Sequence, residues 1–165
     1  MFFHLDERDD VYKGKGTALA NLVLEAARAM KKVDPTILVG GPALIHPWQE
    51  VVNDFLVTAS GELDFISYHT YATGDSNAPL QGMFDGALGL GGIATYMNGE
   101  IAKHTKRKLE LFHNEFNISY APPDQRMNNM DGAIFDALAL IGFAESPITG
   151  SAAWNEADGW YGKLS

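Results

Sequence analysis

The sequence contains no cysteine, which excludes disulfides, zinc–thiolate centres and thiol nucleophiles together. Basic residues are also scarce: 12 Lys and Arg stand against 21 Asp and Glu, which gives a formal net charge of -9. This acidity disfavours binding to nucleic-acid phosphates and to anionic membrane surfaces. No apolar run is long enough to span a bilayer, and the first residues lack the features of a signal peptide. We expect no nucleic-acid partner and no membrane partner, and the compartment is not determined.

The chain has 165 residues, of which 46% are hydrophobic and 20% are charged. This size and composition suit one globular domain over residues 1–165. Gly14 and Gly16 are weak evidence for a nucleotide, because the other parts of a phosphate-binding fingerprint are missing. We expect neither a cofactor nor a bound metal.

Strand and helix patterns alternate along the chain. Apolar runs predict strands at residues 2–5, 36–41, 63–71, 109–117 and 148–154, and helical periods predict helices at 17–33, 48–60, 93–105 and 131–145. The glycine-rich residues 72–92 are expected to form a long mobile loop. This order predicts a parallel sheet whose functional groups follow the C-terminal ends of its strands.

The segment LELFHNEFN, residues 109–117, reads as a strand that ends in a carboxylate. Alternation places His113 and Glu115 on the same face as the apolar residues before them. A carboxylate at the end of a buried row is a candidate functional group. The alternative is that Glu115 caps the next segment or pairs with Lys106 or Arg107.

The order of these motifs resembles the second half of a clan A glycoside hydrolase barrel, and family 39, the β-xylosidase and α-iduronidase group, is the nearest. The resemblance covers nearly all 165 residues, and AARAMKKVDPTILVGGPA, LDFISYHTY and LFHNEFN match characteristic segments. It implies an α/β fold: a partial (β/α)8 TIM-type barrel of about five parallel strands, strands four to eight, with helices outside.

The resemblance also implies two catalytic carboxylates. Glu115, followed by Phe116 where the family has Trp, matches the nucleophile that ends strand seven. Glu7 takes the place of the general acid/base in the Trp-Asn-Glu-Pro motif after strand four, although only the glutamate matches in LDER. The triplet WNE at residues 154–156 matches that motif better, but it follows the last strand and Ala157 replaces the proline, so Glu7 is preferred.

Four further residues are implied as substrate-binding. His69 and Tyr71 resemble the strand-six residues that face the cleft and hold the nucleophile or the substrate. Trp154 resembles the aromatic platform of strand eight, and Asn114 would be a supporting donor beside Glu115. The alternative is structural, because a His among aromatic residues is commonly a hydrogen-bonded core residue and Trp154 could serve packing alone.

Strands one to three of such a barrel have no counterpart in the sequence. The first and last strands would be unpaired edges, and apolar rows including Ile37, Val39, Leu109 and Leu111 would lack cover. We therefore expect a homo-oligomer or association with a missing N-terminal half. The predicted function is a retaining glycoside hydrolase acting on an oligosaccharide or other glycoside. The alternative is a non-catalytic carbohydrate-binding or scaffold half-barrel.

Overall fold

A computed structural model describes residues 16–47, 49–121, 124–157 and 163. The elements in chain order are α1 Gly16–Val33, β1 Gly40–Ile45, α2 Gln49–Ala59, β2 Phe65–His69, α3 Leu80–His104, β3 Glu110–Phe116, a 3-10 helix Gln125–Asn128, α4 Met130–Ala144 and β4 Gly150–Ala153. The strands are parallel and lie in the order β1-β2-β3-β4. The predicted α/β class is confirmed, and the predicted strand at residues 2–5 lies outside the described residues.

The chain divides into two compact units, and the prediction of one domain over residues 1–165 stays a prediction. The first unit comprises residues 1–69 and 97–112, and α1 packs on α2 within it. Asp64 ties α1 to the segment before β1, because its carboxylate accepts from the Val39 amide at 2.8 Å and pairs with Lys31 at 2.5 Å. These contacts lower the pKa of Asp64, the hydrogen bond from Lys31 most.

The second unit comprises residues 70–96 and 113–165 and has its own apolar core. The core joins the first part of α3, the end of β3 and the inner face of α4. Its buried members are Met83, Ala87, Leu90, Phe116, Ile118, Met127, Phe135, Ala139 and Phe143. His113 lies against this core, with its ring centroid 5.2 Å from that of Phe143.

The strand predicted at residues 36–41 is wrong in position, since β1 is Gly40–Ile45. Asp34 causes part of the shift, because its carboxylate accepts from the Thr36 amide at 2.8 Å and the Thr36 hydroxyl at 2.6 Å, which favours a turn. Pro42 is tolerated because β1 lies at one end of the described sheet, where an amide without a strand partner costs little.

The long loop predicted at residues 72–92 is also wrong, because α3 begins at Leu80. Glycine inside a helix costs about 1 kcal/mol relative to alanine, so the composition favours a loop. Helix packing overrides that preference: a Cβ on Gly91 would overlap the carbonyl oxygen of Gly142 in α4. In return, a Cβ on Gly142 would lie 2.9 Å from the carbonyl oxygen of Leu88. The backbones of α3 and α4 are in contact at Gly91 and Gly142, and only a residue without a Cβ allows so close an approach.

Three of the residues expected to lack cover are in fact buried. Val39 is 8% exposed, Leu109 is 7% exposed and Leu111 is 1% exposed. The expectation of uncovered side chains is wrong for these three residues. Within the described ranges, no helix combines the length and the apolarity that a membrane crossing requires.

We predict that Gly91→Ala destabilises the protein by about 1–3 kcal/mol, because the added methyl group would force two helix backbones apart. Gly89→Ala is the matched control, since Gly89 lies in the same helix and has no atom within 4 Å of its Cβ position. The control should gain up to about 1 kcal/mol from helix propensity. Urea unfolding measures both, and equal stability of the two variants would contradict the packing argument.

Candidate active site

The residues that follow β2 run alongside the end of β3. Three backbone hydrogen bonds join them: Thr70 N–H to Glu115 O at 3.2 Å, Ala72 N–H to Asn117 O at 3.2 Å, and Thr73 N–H to Ile118 O at 2.8 Å. An isolated parallel bridge between Thr73 and Ser119 continues this alignment. Side chains that leave the two segments at the same level can therefore meet.

Tyr71 and Glu115 do meet. The Tyr71 hydroxyl donates a hydrogen bond to Oε1 of Glu115, and both residues are half-buried. A phenol donor orients the carboxylate. The second carboxylate oxygen has no hydrogen bond recorded among the described residues. An oriented, partly accessible carboxylate at a strand end can act as a nucleophile or as a base.

The buried His113 restrains the backbone next to this pair. Its Nε2 accepts a hydrogen bond from the Thr70 amide at 3.0 Å, and the residue is fully buried. Since the accepting nitrogen carries no proton, the neutral ring is protonated on Nδ1. The same Thr70 amide also reaches the Glu115 carbonyl, so the histidine holds the backbone immediately before Tyr71. His113 is a positioning residue.

Trp154 stands directly after β4 and is held through its backbone. Its amide donates to the Phe116 carbonyl at 2.8 Å, and its carbonyl accepts from Nδ2 of Asn117. The residue is 40% exposed. Asn114 is exposed and precedes Glu115 in β3.

His69 is the last residue of β2 in the first unit, is 1% exposed, and its carbonyl accepts from the His46 amide at 2.8 Å. Glu7 lies outside the described residues. Arg107, considered as a partner for Glu115, instead donates to the Ser60 and Leu63 carbonyls at 3.0 and 2.8 Å.

Sequence reasoning missed the role of Asn117. This residue is fully buried, and its Oδ1 accepts from the Ile118 amide at 2.8 Å and from Lys163 Nζ at 2.7 Å. Its side-chain amide also reaches Trp154, so it links the ends of β3 and β4. An asparagine after a strand ordinarily indicates a turn. No local sequence pattern distinguishes the buried, hydrogen-bonded Asn117 from an asparagine in a turn.

We predict that His113→Leu lowers the free energy of unfolding by about 1–3 kcal/mol, because the Thr70 amide loses its nearer acceptor in a buried place. His113→Gln is the matched variant, since its amide oxygen can take the position of Nε2, and it should retain more of the stability. Urea unfolding and hydrogen exchange of the Thr70 amide measure the difference. Equal losses in both variants would contradict the acceptor role.

A family model identifies the family of this chain. Residues 8–154 match the model of glycosyl hydrolases family 39. The chain is 28% identical over 158 residues to a β-xylosidase of Caldicellulosiruptor saccharolyticus, covering 92% of this chain and 31% of that protein.

Solved structures show the same likeness at the level of the fold. A GH39 enzyme from Xanthomonas axonopodis pv. citri superimposes with a TM-score of 0.70 at 20% identity, and a GH39 β-xylosidase from Caulobacter crescentus with a TM-score of 0.65 at 23% identity. Each match covers 99% of this chain and 33% of the other, so the chain spans about a third of the length of these relatives. The parallel α/β arrangement is that of a partial TIM barrel. With a family match across residues 8–154, the chain belongs to glycosyl hydrolases family 39.

Proposed function

We propose that this chain carries the nucleophile of a retaining glycoside hydrolase, and that Glu115 is that nucleophile. The observation that carries the proposal is the hydrogen bond from the Tyr71 hydroxyl to the Glu115 carboxylate beside the end of a parallel strand. In barrels of this type catalytic groups stand at the C-terminal ends of the strands. The donor holds one carboxylate oxygen and leaves the other for attack on a sugar.

The reaction proceeds by two displacements. A Glu115 oxygen forms a bond to the anomeric carbon while the bond from that carbon to the leaving oxygen breaks, and Glu7 gives its proton to that oxygen. Water then attacks the anomeric carbon, gives a proton to Glu7, and releases Glu115. Retaining enzymes place the two carboxyl groups roughly 5 to 5.5 Å apart, so the proposal requires Glu7 at that distance from Glu115.

The proposed substrate is a glycoside or oligosaccharide with a terminal β-linked xylose. The support is the name of the relative that is 28% identical, a β-xylosidase. Trp154 offers an exposed indole on which a sugar ring can stack, and Asn114 offers an exposed amide next to Glu115.

One observation favours a second function, a carbohydrate-binding half-barrel without turnover. Residues 5–8 read LDER where the family motif for the acid is Trp-Asn-Glu-Pro, so the acid site departs from the pattern at three of four positions. A chain with an intact Tyr71–Glu115 pair and no working acid would bind sugars and hydrolyse them poorly. Binding without hydrolysis distinguishes this function from the first.

We predict that Glu115→Gln abolishes hydrolysis of an activated aryl xyloside, with a loss of roughly 10⁴-fold or more, because the amide cannot attack the anomeric carbon. Release of the aryl alcohol is measured by absorbance. The matched control is Glu110→Gln, which changes an exposed glutamate at the start of the same strand and should leave the rate unchanged. An active Glu115→Gln variant would refute the assignment.

Glu7→Gln should behave differently on the same substrate. An activated aryl group leaves without protonation, so formation of the glycosyl intermediate is largely spared while its hydrolysis slows by roughly 10²–10⁴-fold. Azide should restore turnover in part, because it attacks without a general base. If the unchanged chain releases no aryl alcohol but binds xylo-oligosaccharide in calorimetry, the binding half-barrel replaces the enzyme.

We further propose that the surface formed by β4 and the outer face of α4 is covered in solution by a second copy of the chain or by a preceding part of the barrel. The β4 residues 151–153 are exposed, and β4 lies at one end of the described sheet. On α4, Ile134 is 42%, Leu140 58% and Ile141 50% exposed. Exposed apolar surface beside an open strand edge favours association.

We predict a homodimer or larger assembly in sedimentation at micromolar concentration. Leu140→Lys combined with Ile141→Glu should shift it toward monomer, because the charges oppose burial of the α4 face. Val57→Lys is the control, because Val57 is an exposed residue of α2 and lies outside this surface. A chain that sediments as a monomer and stays soluble would contradict the self-association.

A further inference from the structure

Lys163 is a partly buried lysine that joins three parts of the second unit. Its ammonium donates to Oδ1 of Asn117 and to Oδ1 of Asp136, each at 2.7 Å, and lies 5.3 Å from the centroid of the Phe135 ring. Its backbone amide donates to the Asn155 carbonyl at 3.0 Å. With 17% of the side chain exposed, the ammonium is held in one place by an amide oxygen, a carboxylate and an aromatic face.

The contact with Asn117 links Lys163 to the ends of two strands. Asn117 directly follows β3 and is fully buried. Its Oδ1 accepts from Lys163 and from the Ile118 amide, and its Nδ2 donates to the Trp154 carbonyl. If this side-chain amide turned over, its NH2 group would face the ammonium and its oxygen would face the Trp154 carbonyl. The cation therefore favours the orientation in which Asn117 donates to Trp154.

Asp136 fixes the other side of the lysine to α4. It follows Phe135, whose buried ring belongs to the core of the second unit. An ion pair on the surface contributes little, because both side chains are mobile and solvated. Here the carboxylate side chain is 35% exposed, and the same ammonium also contacts the buried Asn117. The lysine thus ties α4 to the ends of β3 and β4.

We propose that Lys163 is a positioning residue for the candidate active site, acting through Asn117 on Trp154 and on the backbone two positions after Glu115. This inference rests on the proposed function for the reaction that it assists. A stacking residue and a nucleophile work best when they are in place before the substrate arrives, because ordering them on binding costs free energy. The lysine needs no contact with the sugar to do this.

The first test is hydrogen exchange of the whole native chain, which needs no substrate. Lys163→Met keeps most of the side-chain length and removes its charge, so the Trp154 amide should exchange about tenfold or more faster. The Ala139 amide, in the core of the second unit, reports global unfolding and should change less. A merely structural loss would instead speed both amides by the same factor.

Three further variants test the route through Asn117. Lys163→Arg can donate to both oxygens and should keep the Trp154 amide protected. Asn117→Asp keeps an acceptor for Lys163 but has no donor for the Trp154 carbonyl, so it should speed exchange as Lys163→Met does. Lys32→Met is the control for the loss of a lysine, because Lys32 is an exposed residue of α1 in the first unit.

The second test is the kinetics of aryl xyloside hydrolysis. When Trp154 loses its position in Lys163→Met, the KM should rise about threefold or more with little change in kcat, because the lost contact is one of substrate binding. A loss of folded protein alone would lower kcat and leave the KM unchanged. Lys163→Arg should restore the KM, and Lys32→Met should change neither constant.

Hydrogen exchange decides the positioning role without turnover. Equal acceleration of the Trp154 and Ala139 amides by Lys163→Met overturns it. A Trp154 amide that stays protected in Asn117→Asp also overturns it, including where Lys163→Met does not fold. An unchanged KM in an active Lys163→Met variant has the same consequence. An unchanged chain that hydrolyses no aryl xyloside overturns the proposed function alone, and a selective loss of Trp154 protection then still supports the role of Lys163.

Discussion

The Thr70 amide is the contact on which the candidate site depends. It donates both to the buried ring of His113 and to the Glu115 carbonyl, and the next side chain along is Tyr71, which donates to the Glu115 carboxylate. A single backbone position thus determines where the phenol stands relative to the carboxylate. His113 is fully buried against the core of the second unit. The position of the Thr70 amide therefore depends on core packing and not on surface contacts.

That core depends in turn on the close approach of α3 and α4. Gly91 and Gly142 allow the two helix backbones to touch, and this brings Met83 and Leu90 of α3 into one cluster with Phe143 of α4. Phe143 packs on His113 with perpendicular rings. The glycines that weaken α3 as an isolated helix therefore stabilise the site, since packing at short distance replaces the lost helix propensity.

The proposed ligand is a neutral sugar, and its recognition by an acidic protein cannot depend on overall charge. With a net charge of -9, the chain offers no long-range attraction to an uncharged ligand. Affinity then has to come from aromatic faces and oriented hydrogen-bond donors at short range. Among the described residues of the second unit, the exposed Trp154 and the half-buried Tyr71 are aromatic side chains of this kind.

The sequence by itself determined the alternation of strands and helices, the strand that carries Glu115 and the inward position of His113, because hydrophobic periodicity is a local property. It misplaced β1 and read α3 up to residue 92 as a loop, since the Asp34 turn and the approach of Gly91 to Gly142 overrode local preference. Only the tertiary structure decided that Tyr71 contacts Glu115, that Asn117 links two strand ends, and that Arg126 holds a distant loop. The physical reason is that each of these contacts joins residues 37 to 48 positions apart, so no local pattern of polarity records which donor meets which acceptor.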